Sequence, residues 1–361
     1  MKNIFGNEIS KADLVKKVGN MSNFAYVKPF QYTEGKADGV KGFEISNGTG
    51  LDFTVLESKC LDIVSMKYKG MGLNYTPKTG IVSPALSDMN GSEFRRSIVG
   101  GMMYTCGLLN VGSACEDDGM THVFHGRIKT IPAEKVSVFS DWENDEFVIK
   151  ISGEIKDGAI YGDNLVLKRT ITTKTGSKSV KIHDELENIS YKDEEIMILY
   201  HINAGYPVVD NGSRFVAPKG DIIPRKDGVT EKNIDDYNKI TGPIDNYSEH
   251  VFFHKKVASD KDGNTGAAVI NDKLGIGLFV NYNKTNLPII VEWKSMMSGD
   301  YAFGILPSNC LAGGRVFEKQ NGSIKTIKPA EKLVFDLEIG VLEGEKEIKD
   351  FESRINSLQT K

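Results

Sequence analysis

The sequence contains few cysteines, and they form no recognisable site. Only four occur among 361 residues, and none belongs to a Cys-x-x-Cys pair, so the usual signatures of zinc knuckles and thioredoxin-like centres are missing. The N-terminal stretch has no apolar core of the kind found in secretory signals, and no apolar run is long enough to span a bilayer. We therefore expect a cytoplasmic protein with reduced thiols and no membrane partner.

The sequence also lacks a strong excess of charge of either sign. Lys and Arg total 45 against 49 Asp and Glu, a net charge of −4, whereas nucleic acids and anionic membranes select a basic face. P-loop, Gly-x-Gly-x-x-Gly, Gly-x-Ser-x-Gly and His-Glu-x-x-His motifs are absent, which removes the usual support for nucleotide binding, triad hydrolysis and zinc proteolysis. We expect no nucleic-acid partner, no cofactor and no metal.

The residues that are present favour an all-β fold built from many short strands. Apolar residues recur at every second position over much of 136–151, 165–171 and 180–186, a period typical of half-buried strands. Residues 42–56 hold an Asn-Gly turn between two apolar stretches and therefore predict a hairpin. Residues 195–202 are nearly all apolar, as in a strand that is buried on both faces.

Helix signals are confined to the two ends of the chain. Ser10 can cap a helix over residues 10–18. The polar stretch that begins at Gly344 has apolar residues at three- or four-residue spacing, which predicts a helix packed on an edge of the fold. With 37 glycines available for turns, the whole pattern favours a β-sandwich with a few short helices.

The chain contains no low-complexity tract, long linker or solenoid repeat that would mark a domain boundary. Large β-sandwiches often exceed 200 residues as a single unit. We therefore expect one domain over residues 1–361, with an N-terminal helix and lead-in over residues 1–40 and a C-terminal helix over residues 344–361.

His201 interrupts the apolar stretch in the segment Ile-Leu-Tyr-His-Ile-Asn-Ala-Gly-Tyr-Pro. Asn203 lies two residues further along and therefore on the same face of the predicted strand. A buried imidazole needs a hydrogen bond to offset its desolvation. Two interpretations follow: a hydrogen-bonded core histidine, or a general acid at a strand end with a hydroxyl-binding amide beside it.

His125 stands in a loop-like segment, Phe-His-Gly-Arg. Gly126 allows the backbone to approach a ligand closely, and Arg127 supplies a fixed cation with planar donors. This combination suits the capture of a polar ligand. The alternative interpretation is a histidine whose ring stabilises its own loop.

Four further charged residues are candidates by their position. Glu292 follows an apolar run, where a carboxylate is usually paired or faces a ligand. Glu318 either reaches a pocket or faces water. Arg95 and Arg96 precede a glycine-rich segment, and one of the two could point inward.

Several segments together resemble the galactose mutarotase-like (aldose 1-epimerase) superfamily, and in particular its DUF4432 branch of unknown function. In chain order they are VLESKCLDIVSMKYKGMGLNYTP, EFRRSIVGGMMYTCGLLNVG, FHGRIKTIPA, ILYHINAGYPVVD, LPIIVEWKSM, YAFGILPSNC and KTIKPAEKLVFDLEIGVLEG. The combination is specific, although no single segment is. The resemblance implies a β-supersandwich that binds a sugar on the concave face of a sheet.

The resemblance also implies roles for individual residues. In mutarotases a Glu removes the proton of the anomeric hydroxyl and a His protonates the ring oxygen, which is general acid–base catalysis. His201 resembles that acid, His125 resembles a ligand-holding histidine, and Arg95 or Arg96 resembles the substrate-binding arginine. The catalytic Glu of relatives falls in a Gly-Ile-x-Pro tetrapeptide, and here that position is Leu306.

Leu306 cannot accept a proton, so we expect Glu292 to act as the replacement base, with Glu318 as the second choice. The first hypothesis is an isomerase that interconverts sugar anomers or epimers, as a monomer or homodimer. The alternative is a sugar-binding protein with lost or altered catalysis, and a lyase or hydrolase ranks lowest. The residues expected to contact the small-molecule sugar, besides the catalytic ones, are His125, Arg127, Arg95, Arg96, Asn203 and Leu306.

Overall fold

The computed structural model describes residues 2–4 and 7–360, and antiparallel sheets dominate it. The strands are numbered β1 to β24 along the chain. A five-stranded sheet contains, in spatial order, β3 (Tyr26–Gln31), β4 (Lys41–Ser46), β5 (Leu51–Leu56), β6 (Asp62–Tyr68) and β7 (Met71–Gly72). Two hairpins are formed by β1 (Lys2–Ile4) with β2 (Asn7–Ile9) and by β9 (Cys115–Asp117) with β10 (Met120–His122).

An eight-stranded sheet forms the largest layer. Its strands are, in spatial order, β11 (Glu134–Glu143), β12 (Glu146–Gly158), β13 (Asn164–Lys174), β14 (Ser179–Asn188), β24 (Lys332–Glu343), β20 (Ile276–Asn283), β19 (Asn264–Asn271) and β16 (Arg214–Val216). In β14 the apolar residues alternate inward with outward polar ones, as the period-two pattern predicts.

A seven-stranded sheet carries His201 and Asn203. Its strands are β17 (Asp221–Pro224), β18 (His250–Lys255), β21 (Ile289–Met297), β22 (Asp300–Ser308), β15 (Glu194–Ala204) and β23 (Lys325–Ile327), with β8 (Met103–Leu108) also paired to β15. Strand β15 is the apolar stretch predicted from the sequence, and nearly all of its residues are buried. Because side chains alternate along a strand, Tyr200 faces the core and His201 faces the other way.

One hydrophobic cluster joins side chains from the three large sheets. Phe53 of β5, Leu167 of β13 and Ile198 of β15 all belong to it. A second, smaller cluster lies on the opposite face of the seven-stranded sheet and includes Leu199 and Leu306. Strand β15 is therefore buried on both faces, which explains why its sequence is almost continuously apolar.

A fully buried arginine connects the sheets beneath β15. Arg169 of β13 lies 2.7 Å from a carboxylate oxygen of Asp184 and 2.9 Å from one of Asp62. The Tyr200 hydroxyl also donates to Asp184, at 2.7 Å, and Thr105 donates both its amide and its hydroxyl to Asp62. These hydrogen bonds satisfy charges that would otherwise be costly to bury.

Three α-helices accompany the sheets in the described residues: α1 (Lys11–Lys17), α2 (Arg315–Gln320) and α3 (Gly344–Ser357). Helix α1 is the predicted N-terminal helix, and the Ser10 hydroxyl caps it by accepting the Asp13 amide at 3.1 Å. Helix α3 is the predicted C-terminal helix. It covers the face of β19, β20 and β24 rather than an edge. None of the helices in residues 2–4 and 7–360 has the length and apolar character of a membrane span.

Candidate functional site

A cleft of about 670 Å³ opens on the face of the seven-stranded sheet that points away from the main core. Strands β8, β15, β21 and β22 form its floor, and loops from the N-terminal third of the chain form one wall. Its polar lining includes Arg95, His125, His201, Asn203, Glu249 and Asp300. Two of these residues, His125 and His201, are the histidines that the sequence marked out, and their ring centroids lie 6.1 Å apart.

Asn203 determines which nitrogen of His201 is free. The Asn203 amide group donates to the carbonyls of Gly101 and His201, at 3.0 Å each, so its Oδ1 must be the atom that faces His201 Nδ1, at 2.5 Å. An amide oxygen accepts only, and therefore Nδ1 of His201 carries a proton. In the neutral ring Nε2 is then an unprotonated acceptor, and it makes no hydrogen bond within the described residues.

His125 presents the opposite hydrogen-bonding role. The Gly112 amide donates to its Nδ1 at 3.1 Å, so Nδ1 is the acceptor and the proton of the neutral ring resides on Nε2. His125 adopts a φ of +57°, a left-handed conformation that is uncommon outside glycine. The backbone bonds that it exchanges with Gly107 and Gly112 hold it there.

Both imidazoles are neutral at pH 7. Desolvation by the surrounding sheet and loops lowers the pKa of His201 to about 4, against opposing contributions from Asn203 and from the charge of Glu249. The pKa of His125 is lowered well below its usual value by desolvation, by His201 and by Lys129. The cleft therefore holds one imidazole donor and one imidazole acceptor that face a common space.

Lys129 supports the loop of His125 from beneath. Its side chain is buried, and its ammonium group donates to the Phe124 carbonyl at 2.6 Å and to the Gly126 carbonyl. Burial lowers the pKa of Lys129 to about 7. These two carbonyls flank His125, so the buried Lys129 side chain holds the two sides of the left-handed turn together.

Aromatic rings form two walls of the cleft. Trp293 of β21 lies 5.3 Å from His201 and 6.4 Å from Tyr75, between ring centroids. On the other side Phe94 stacks on Phe124 at 4.0 Å, beside His125. Aromatic walls with polar groups between them suit a ligand that has both an apolar face and hydrogen-bonding groups.

The cleft contains two carboxylates that sequence reasoning missed. Glu249 precedes β18, and its Oε2 accepts the Trp293 indole N–H at 2.7 Å, while its Oε1 accepts from Arg225 at 3.0 Å. Asp300 accepts the Tyr75 hydroxyl at 2.9 Å. Neither acid lies in an apolar stretch that would have marked it. Only the pairing of β18 with β21, which aligns Val251 with Trp293, brings Glu249 to the cleft.

The structure overturns the expected position of Glu292. It lies next to Trp293 on β21 and therefore points to the opposite face of the sheet. There it is fully buried and contacts Nε2 of His254 at 2.8 Å. Burial raises the pKa of Glu292, and the side chain has no access to the space between His125 and His201. Glu292 is not the base of this cleft.

Glu318, the second choice, is also remote from the cleft. It lies on α2, where it is fully buried. Its Oε1 accepts the Leu311 amide at 2.8 Å, and its Oε2 accepts the hydroxyl of Ser323. Glu318 therefore stabilises the loop before and after its helix, and neither of the proposed replacement bases faces the imidazoles.

Leu306 does lie beside His201, but under the cleft surface. The register that pairs Ile202 with Ile305 places Leu306 opposite His201 on the same face of the sheet. The Leu306 side chain is buried in the smaller apolar cluster with Leu199. Position 306 is therefore adjacent to His201, and it is occupied by a buried apolar residue.

Of the three arginines named from the sequence, Arg95 lines the cleft and the other two do not. Arg95 lines the cleft and packs near the Phe94 ring, at 5.8 Å. Arg96 is 80% exposed and pairs with Glu93, and Arg127 faces Asp157, at 3.4 Å. Neither Arg96 nor Arg127 lines the cleft, so the expectation that they contact the ligand does not fit their positions.

Residues 37–341 match the model of a family described as a domain of unknown function, DUF4432. The match covers more than half of the chain. The chain belongs to this family. Both cleft histidines and both cleft carboxylates fall within the matched range. No curated protein matches the sequence significantly.

Solved structures show the fold of this DUF4432 protein. A Klebsiella pneumoniae protein provisionally named aldose 1-epimerase superposes with a TM-score of 0.87 at 25% identity, covering 91% of this chain and 86% of its own. A galactose mutarotase-like protein from Clostridium acetobutylicum gives 0.59 at 16% identity, with 89% and 99% covered. Galactose 1-epimerase from Lactobacillus acidophilus gives 0.55 at 13% identity, with 89% and 100% covered. The DUF4432 chain thus has the galactose mutarotase-like fold.

Proposed function

We propose that this protein is a sugar isomerase of the aldose 1-epimerase type, which interconverts the anomers of a free aldose by general acid–base catalysis. The observation that carries the proposal is the pair of neutral imidazoles, 6.1 Å apart, with opposite hydrogen-bonding roles in one open cleft. A monosaccharide is a polyol with adjacent donors and acceptors at C1, and its ring opens when one oxygen loses a proton and the other gains one.

The rest of the cleft supports this substrate class. Trp293 and Tyr75 offer aromatic surface on one side, and Phe94 and Phe124 on the other. The lining carries the two cations Lys78 and Arg95 and the two anions Glu249 and Asp300, so its formal charges cancel. Such a site favours a neutral sugar over a strongly anionic one. The aldose 1-epimerase names among the structural relatives are consistent with the same chemistry.

The first test is anomer exchange in the wild-type protein. Freshly dissolved α-anomers of a panel of neutral hexoses and pentoses are followed by polarimetry and by one-dimensional exchange NMR. At least one sugar is expected to equilibrate faster than in buffer, with half-saturation at or below about 1 mM sugar, since KM values usually lie between about 1 μM and 1 mM. Exchange at the buffer rate for every sugar of the panel would contradict the proposal.

A second candidate function is sugar binding without turnover, and Leu306 is the observation that favours it. The family resemblance places the catalytic Glu of relatives at position 306, and here an apolar residue stands there, directly opposite His201 in the strand register. On this interpretation the cleft binds a sugar, detectable by calorimetry or by Trp293 fluorescence, while anomer exchange stays at the background rate.

The substitution Leu306→Glu separates the two candidates. If the protein only binds sugar, adding a carboxylate beside His201 is expected to create exchange activity from none. If the protein is already an isomerase, the new charge is expected to raise the pKa of His201 and change the rate by no more than about tenfold, the size of one modest electrostatic contribution. Leu306→Gln is the matched control, because it has the same size without the charge, and a thermal melt of each variant verifies folding.

A further inference from the structure

We propose that His201 acts as the base of this site and then returns the same proton, so that one imidazole serves both oxygens of the sugar's anomeric carbon. This inference rests on the proposed function and deepens it, because it replaces the expected carboxylate–imidazole pair with a single shuttle. Three observations lead to it: the tautomer of His201, the occupied oxygens of the cleft carboxylates, and the residue at position 306.

Hydrogen-bond geometry fixes the tautomer of His201. Asn203 receives the Nδ1 proton of His201, and its own amide is held by two carbonyls. The neutral ring can therefore present only an unprotonated Nε2 to the cleft. In that state His201 takes up a proton and has none to give, which is the reverse of the acid role implied by the family resemblance.

The cleft carboxylates are poor alternatives. Glu249 accepts the Trp293 indole N–H on one oxygen and an Arg225 N–H on the other. Asp300 accepts the Tyr75 hydroxyl on one oxygen and lies 2.8 Å from the Lys78 ammonium with the other. Each oxygen of both carboxylates is thus already engaged by a protein donor or a cation, so neither carboxylate has an oxygen without a partner to offer to a sugar hydroxyl.

The two strand positions paired with His201 hold no base in the described part of the chain. Leu306 occupies the position opposite it on β22, and Tyr104 occupies the position opposite it on β8. Burial keeps the pKa of Tyr104 well above its usual value, so the phenol stays protonated. The charged or titratable groups that share the cleft with His201 are Tyr75, Lys78, Arg95, Tyr104, His125, Tyr247, Glu249 and Asp300.

The proposed step is balanced without any other reactant. His201 Nε2 takes the proton of the anomeric hydroxyl, the C1–O1 bond becomes a carbonyl, and the C1–O5 bond breaks with its electron pair on O5. The imidazolium then gives that proton to O5, which yields the open-chain aldose and neutral His201. Rotation about C1–C2 and the reverse sequence produce the other anomer. His125, with its proton on Nε2, donates a hydrogen bond to the oxygen on which charge develops.

The experiment combines a pH profile with direct observation of the tautomer. A single base predicts that kcat/KM for anomer exchange is constant from about pH 6 to 9. It falls tenfold per unit as the pH drops through the pKa of His201, at about 4. Glu249→Gln is expected to keep this fall of kcat/KM at low pH. The fall is expected to shift to lower pH, because a negative charge near His201 is removed, and kcat/KM at pH 7 is expected to drop less than about tenfold. Asp300→Asn is the matched carboxylate variant, and melts verify that both fold.

Nitrogen NMR of ¹⁵N-histidine-labelled wild-type protein at pH 7 tests the tautomer even if no substrate is turned over. An unprotonated Nε2 on His201 is expected. A protonated Nε2 would overturn the proposal. The proposal would also fail if Glu249→Gln lowered kcat/KM by more than about 10²-fold and removed its fall at low pH, since the carboxylate would then be the base. Absence of exchange on every sugar instead refutes the isomerase function, while the NMR result still decides the tautomer.

Discussion

Replacing His201 with glutamine is expected to slow catalysed anomer exchange by about 10²–10⁴-fold, the usual contribution of one positioned proton-transfer group. Glutamine is close to histidine in size and keeps a polar end near Asn203, but it has no basic nitrogen. The measurement is kcat/KM by exchange NMR at pH 7. Sugar affinity is expected to change far less than the rate, because the cleft walls and the other polar groups remain.

The matched control for this substitution is His183→Gln. His183 is half exposed on β14, where it bonds to Asp336 at 2.7 Å, and it lies in the other large sheet. This variant is expected to exchange anomers at the wild-type rate. If His201→Gln also retained the wild-type rate while folding normally, proton transfer by His201 would be refuted, and with it the proposed isomerase mechanism.

Replacing Arg169 with methionine is expected to lower the free energy of unfolding by about 3–5 kcal/mol, the typical cost of removing one partner of a buried ion pair. Methionine fills much of the space but leaves Asp62 and Asp184 buried without their cation. Burial already raises the pKa of Asp62 in the presence of Arg169. Without the arginine the folded-state pKa of Asp62 is expected to rise further, so the loss in the free energy of unfolding is expected to be larger at pH 8 than at pH 5.

Urea unfolding followed by circular dichroism measures this effect, and Lys135→Met is the control. The ion pair of Lys135 with Glu154 is exposed, and such pairs contribute about 0–1 kcal/mol. The buried network also contacts two strands of the cleft floor, through the Tyr200 hydroxyl on β15 and Thr105 on β8. A loss in Arg169→Met no larger than that of the control would show that the buried network is not a main source of stability.

Much of the fold was predictable because it depends on local periodicity. The alternation of β14, the doubly buried stretch of β15 and the Asn-Gly hairpin between β4 and β5 all appear where the pattern places them. The Ser10 cap and the helix from Gly344 are likewise local signals. Helix α2 was not predicted, because it has only six residues and lies in a glycine-rich segment.

The candidate site was predictable only where a residue carried its own signal. His125 and His201 stood out by their neighbours, and they do share one cleft. Glu292 stood out in the same way, yet one step along β21 separates the face of Trp293 from the face of the buried pair with His254. Alternation is visible in the sequence, but which face borders the cleft is not.

The sequence by itself determined the β-rich architecture, the buried strands and the two histidines, because periodicity and residue type are properties of short segments. The tertiary structure alone decided that Glu249 and Asp300 line the cleft and that Glu292 and Glu318 do not. It also decided which nitrogen of each imidazole is free. These features arise from strand pairing between distant segments and from hydrogen bonds such as those of Asn203 and Gly112, and no local pattern encodes either.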